Sequence, residues 1–185
     1  FFNFNSKLII NYKSNSNFSN GFLFTNNNST NLLENDYSST SVNSFGFVTN
    51  FKKLDNPFNP RKGFIIQSEL AYGWKETYAI DTVANNILKS PNFNGNLSFS
   101  SYLSIIKRTT FKVKLSGSTI QNNILYDNEL TRIGGYKTIR GFDDESIWVS
   151  SFILGNFEFR YLIDEKSNVF LFSDFAWTES KTNNF

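Results

Sequence analysis

The feature that most constrains this chain is an alternation of apolar and polar residues, repeated segment after segment, which fits strands and leaves no place for a long helix. The clearest instance puts Phe64, Ile66, Leu70, Tyr72 and Trp74 on one face and Gln67, Glu69, Ala71, Gly73 and Lys75 on the other. The same period sets Phe2, Phe4, Leu8, Ile10 and Tyr12 against Asn3, Asn5, Lys7 and Asn11, and Phe45, Phe47 and Phe51 against Ser44, Gly46 and Asn50. Further along, Leu97, Phe99, Leu103 and Ile105 oppose Ser98, Ser100 and Ser104, and Phe111, Val113 and Leu115 oppose Lys112, Lys114 and Ser116. Phe157, Phe159, Tyr161 and Ile163 oppose Asn156, Glu158 and Arg160; Val169, Leu171, Phe175 and Trp177 oppose Phe170, Phe172, Asp174 and Ala176. With a weaker segment through Phe22 and Phe24, the pattern predicts about eight strands.

The connections between these segments alternate in length. They read as short over residues 14–20, long over 26–41, a proline turn over 56–63, long over 76–94, short over 107–109, long over 129–148 and short over 164–167. Short turns at one end and long loops at the other are the habit of outer-membrane barrels. A soluble sandwich has no reason to keep that alternation, although a lipocalin-like barrel partly mimics it. The faces suit either solvent: the apolar face is a core in one case and a lipid contact in the other. Tyr72, Trp74, Tyr161 and Trp177 lie near strand ends, where aromatic girdles form at a membrane interface, and they tip the reading toward a transmembrane barrel.

Composition narrows the chemistry. The 185 residues carry a formal charge of +2 and include no Cys, His or Met. Without His, a Ser-His hydrolase has no base, and without Cys or His a zinc site lacks its usual ligands. Asp143, Asp144 and Glu145 lack the spacing of a calcium loop or of a glycosidase acid pair and read as a solvated acidic turn. Gly134-Gly135 precedes neither a helix nor a Lys-Ser/Thr pair, so it is no phosphate loop. The charge balance gives no support to nucleic-acid binding, and no cofactor is implied. The absence of an initiator Met sets the expectation of a single partial barrel domain over residues 1–185, truncated at both ends.

The loop at 129–148 is too long for a hairpin turn and carries Leu130, Ile133, Ile139, Phe142 and Ile147, which a merely solvated loop would lack. A loop of that composition is expected to fold back onto something. Gly134, Gly135 and Gly141 permit positive φ, and Arg140 has a planar fork suited to carboxylates. Glu158 and Asp174, on the polar faces of the next two strands, are the expected partners.

Ile139-Arg140-Gly141-Phe142 resembles the (Val/Ile)-Arg-Gly-(Phe/Tyr) signature of the BamA/TamA family of bacterial outer-membrane assembly barrels. Gly155-Asn156-Phe157-Glu158-Phe159-Arg160 and Phe172-Ser173-Asp174 are similar to the two strand motifs that follow that loop in the family, and the Asn-Pro-Phe-Asn-Pro-Arg-Lys-Gly turn ending at Gly63 extends the likeness more weakly. The family's Phe-x-Asp-x-Gly ends here in Ala176. The resemblance implies part of a 16-stranded barrel in the bacterial outer membrane, with the arginine loop tucked inside, and a role without enzymatic activity in inserting or exporting outer-membrane proteins. The implied partners are outer-membrane lipid, client outer-membrane proteins, and accessory lipoproteins or periplasmic domains of its own chain. A two-partner secretion pore, the barrel half of a patatin-like phospholipase and a small structural barrel remain alternatives.

Overall fold

The structure, a computed structural model, describes residues 3–15, 17–33, 36–79, 87–123, 125–164 and 167–181. Eight long strands form one antiparallel sheet: β1 (Asn3–Asn15), β2 (Phe18–Leu33), β3 (Asp36–Leu54), β4 (Gly63–Ala79), β5 (Ile87–Ile106), β6 (Thr109–Asn122), β9 (Ser151–Leu162) and β10 (Asn168–Glu179). The order is a plain meander, interrupted only between β6 and β9, where a two-stranded ribbon of β7 (Thr131–Ile133) and β8 (Ile147–Val149) is inserted. The sheet is not closed on itself, and β1 and β10 are its edges.

Two expected loops are corrected. Residues 26–41 are not a long loop: Asn26 pairs with Asn43 and Asn28 with Ser41 as β2 and β3 run on toward Leu33 and Asp36. Asn and Ser disfavour strands by propensity, but the growing ladder satisfies their backbones and their side chains bond across it, Asn26 Nδ2 donating to Asn43 Oδ1 at 2.7 Å. Likewise the described parts of 76–94 are strand, Thr77 facing Leu88 and Trp74 facing Pro91. Pro91 is tolerated because β6 pairing begins only at Asn92. Residues 80–86, the remainder of that expected loop, lie outside the described residues. The alternation of connection lengths is therefore weaker than the sequence suggests, and the strands are longer.

The sheet is inside out by the standard of a soluble domain. One face is apolar yet exposed, with Phe22 at 54%, Phe45 at 53%, Leu97 at 58%, Ile153 at 59% and Phe175 at 64%. The other buries Ser44, Lys75, Thr77, Asn92, Ser100, Asn156 and Glu158. The β6–β9 connection covers this polar face and supplies a small core, Ile133 and Val149 packing on Leu154. A cavity of about 670 Å³ beside Lys137 and Thr138 of the connection is lined from Ile9 on β1 to Leu154 on β9, so the sheet curls around the loop.

Candidate functional site

The site begins with the register of β9 and β10. Asn156 pairs with Asp174 and Glu158 with Phe172, which brings the two carboxylates to neighbouring positions on the covered face. On the other side of β9, Lys112 pairs with Glu158. The two carboxylates were expected on adjacent strands, and the meander adds Lys112 from β6 beside them.

The loop presents its arginine through a tightly turned tip. Gly134, Gly135 and Gly141 all have positive φ (126°, 81° and 94°). A Cβ on Gly134 would lie 2.2 Å from the Asp143 carbonyl oxygen, whereas one on Gly141 would meet nothing, so the first glycine answers to space and conformation and the second to conformation alone. The Thr138 hydroxyl closes the turn, accepting from Gly134 N–H at 2.8 Å and donating to Gly134 C=O at 2.7 Å. Gly135 N–H bonds to Phe142 C=O at 3.1 Å.

Arg140 then meets both carboxylates. Its Nε donates to Asp174 Oδ2 at 2.7 Å and its Nη2 to Oδ1 at 2.5 Å, a bidentate fork, while its backbone N–H adds a bond to Oδ2 at 3.0 Å. Nη1 donates to Glu158 Oε1 at 2.9 Å. The guanidinium lies 4.0 Å from the Phe172 ring centroid, which supplies a stacking platform. Asn156 Nδ2 ties the loop to the same carboxylate, bonding to Thr138 C=O at 2.8 Å and Asp174 Oδ1 at 2.9 Å. Glu158 is shared: Lys112 Nζ reaches it at 3.1 Å and Arg160 Nε at 2.7 Å. Hydrogen bonding to Asp174, opposed in part by burial, holds the Arg140 proton more tightly than in free arginine.

Of the residues singled out from the sequence, Arg140, Asp174 and Glu158 come together, Ile139 is buried, and Gly134, Gly135 and Gly141 shape the tip. Phe142 is a correction: it is not an apolar anchor but is 53% exposed, because Gly141 turns the chain away immediately after the arginine. Asp143, Asp144 and Glu145 are exposed, and among the described residues no cluster of acids is placed to hold a metal.

Sequence reasoning missed a second fixture. Lys75, fully buried on β4, is salt-bridged to Glu129 of the short 3-10 turn Asp127–Glu129 and lies 4.6 Å from the Tyr126 ring centroid. Glu129 also accepts from Tyr126 N–H at 3.0 Å, so one carboxylate both caps the turn and pins it to the sheet. The only signal in the sequence was a lone lysine on the polar face of a strand. Compared with known proteins, the chain matches no family model, and no curated protein sequence matches it.

Proposed function

We propose that this chain is part of the wall of a bacterial outer-membrane β-barrel of BamA/TamA-like type, acting in the insertion of outer-membrane proteins, with the Arg140 loop docked in its lumen. The observation that carries this reading is the Arg140 clasp on the polar side of a sheet whose other side is an exposed apolar band. On β4 the outward row from Phe64 to Trp74 is about ten residues long, which at ~3.3 Å per residue and a tilt of ~40° gives a band about 25 Å tall, the height a bilayer core requires. An exposed apolar face of this extent has no place on a soluble monomer. The covered polar face is then a wet lumen, and the long loop a plug fastened to strands β9 and β10. The partners of this reading are lipid and unfolded client strands, with accessory lipoproteins or periplasmic domains of its own chain; no cofactor enters.

The test is to reconstitute the full-length protein in vesicles and follow the folding of a client porin by heat-modifiable gel mobility. The expected result is faster client folding than in protein-free vesicles, with Arg140→Ala removing most of the gain. Client folding at the protein-free rate would withdraw the assembly role and leave a barrel wall of other purpose.

A further inference from the structure

The two ends of the sheet are charged differently. Where the outward rows leave the apolar band at the loop end, lysines are matched by acids: Lys89 to Glu76 at 3.1 Å and Lys181 to Glu179 at 3.0 Å. At the turn end, the outward row of β3 passes from Phe51 to Lys53, while Lys107 sits in the turn just beyond the end of β5 at Ile106. Lys53, Lys62, Lys107 and Arg108 are all exposed, and among the described residues none has an ion pair. Among the described residues, the acids at this end include carboxylates that accept from backbone donors. Asp55 Oδ1 accepts from Asn56, Arg61 and Lys62 N–H at 2.9, 2.9 and 3.1 Å, and Asp164 Oδ1 from Ser167 N–H at 2.8 Å.

We infer that Lys53, Lys62, Lys107 and Arg108 form a basic rim that docks on the phosphate headgroups of an anionic phospholipid leaflet. This rests on the membrane-barrel reading above. Two features select a lipid surface over an acidic protein. Lys53 continues the outward row that carries the apolar band, so its stem lies over apolar surface while its ammonium group rises to headgroup level, and Lys62 and Lys107 stand in the turns at the same end of the sheet. The basic residues are also spread over the edges of two hairpins, β3–β4 and β5–β6, instead of being gathered into one concave patch, which matches a plane of many phosphates. A lysine near an anionic leaflet gains about fivefold in association at low salt. The rim thus distinguishes the leaflet at the turn end from the one at the loop end.

The experiment reconstitutes the full-length protein in phosphatidylcholine vesicles and measures, with spin-labelled lipids, the relative association of phosphatidylglycerol and phosphatidylcholine at the protein boundary. The wild type is expected to prefer phosphatidylglycerol severalfold, and the preference should fall with added salt. Lys53→Gln, Lys62→Gln, Lys107→Gln and Arg108→Gln together should abolish it, while Lys89→Gln at the loop end should leave it unchanged. Equal association of the two lipids with the wild type, or a preference surviving the quadruple substitution, overturns the rim. Both outcomes are read only on protein that shows an immobilised boundary-lipid signal; protein lacking that signal would instead refute the barrel reading itself.

Discussion

Arg140 carries more of the loop's attachment than any other single side chain, because it directs every class of its donors at two carboxylates that have little water. Its side chain is 10% exposed and those of Asp174 and Glu158 are 3% and 7%. Removing one partner of such a buried pair costs about 3 kcal/mol or more, against ~1 kcal/mol at most for an exposed one. Arg140→Ala is therefore expected to destabilise the full-length protein by about 3 kcal/mol in denaturant unfolding, and Arg140→Lys to recover little, since an ammonium cannot make the fork. The coupling to Asp174 in a double-mutant cycle should exceed that to Glu158, which keeps Lys112 and Arg160 when the arginine is gone. Coupling of equal size to both would contradict the geometry. A second residue-level test separates the faces: Val113→Arg, on the apolar face, should cost about 2–4 kcal/mol in a bilayer, and Ser116→Arg, beside the polar cavity, almost nothing. The carboxylates were legible in the sequence because a period of two puts both on the polar face, and the arginine because its setting in a loop with apolar anchors resembles a family signature. Asn156, Thr138 and Phe172 were not legible as partners, since their roles depend on where the loop tip lands.

At the scale of elements, the β6–β9 connection is fastened at both its root and its tip. The root is the Lys75–Glu129 bridge to β4, and the tip is the Arg140 clasp to β9 and β10. The fastenings lie on opposite sides of the connection's own short ribbon, so they should open separately. Arg132 and Lys137 both have exposed side chains, so cleavage reports loosening of the backbone around them: Glu129→Gln is expected to admit trypsin at Arg132 and not at Lys137, and Arg140→Ala the reverse; cleavage at both sites in either variant would make the loop a single unit. The sequence could not show the root, because a lysine on β4 and a glutamate after β6 become neighbours only through the curl of the sheet. The proline turn between β3 and β4 was legible as a turn, but its acid dependence was not. Burial of Asp55 raises its pKa, yet the N–H groups of Lys62, Arg61 and Asn56 outweigh this and hold it below the ordinary carboxylate value of 3.8. A depressed folded pKa means stability that is present in full above the unfolded value and lost as pH falls through the folded one. Protection of the Arg61 and Lys62 amides, taken relative to their intrinsic exchange rates, should thus be high at neutral pH and fall below about pH 4, and Asp55→Asn should flatten that profile.

At the scale of the whole molecule, the strands are longer than a bilayer needs. A spanning strand takes about 10 residues, while β3 has 19 and β5 has 20. The excess is not shared evenly. On β4 the apolar outward row begins with Phe64, one residue after the strand starts at Gly63, and stops at Trp74, well before Ala79, so the surplus lies at the loop end. Beyond it the outward side chains become Glu76 paired with Lys89, and Asn26 bonded to Asn43, which belong in water. On the outer-membrane barrel proposed above, the β2–β3 and β4–β5 hairpins are therefore expected to stand clear of the membrane on the outside of the cell, with the proline turn close under the bilayer in the periplasm. The sequence concealed this by writing the projecting hairpins in Asn, Ser and Thr, which look like loop. The orientation is tested with a membrane-impermeant maleimide on intact cells expressing the full-length protein. Both probe positions are exposed in the fold, so a failure to label reports the membrane and not burial: Phe58 is 72% exposed at the proline turn, and the Lys89 side chain 59% on the projecting hairpin. A cysteine at Lys89 should label on intact cells, and one at Phe58 only after the outer membrane is permeabilised. Labelling of the Phe58 position but not the Lys89 position would invert the topology, and the basic rim would then face the cell exterior.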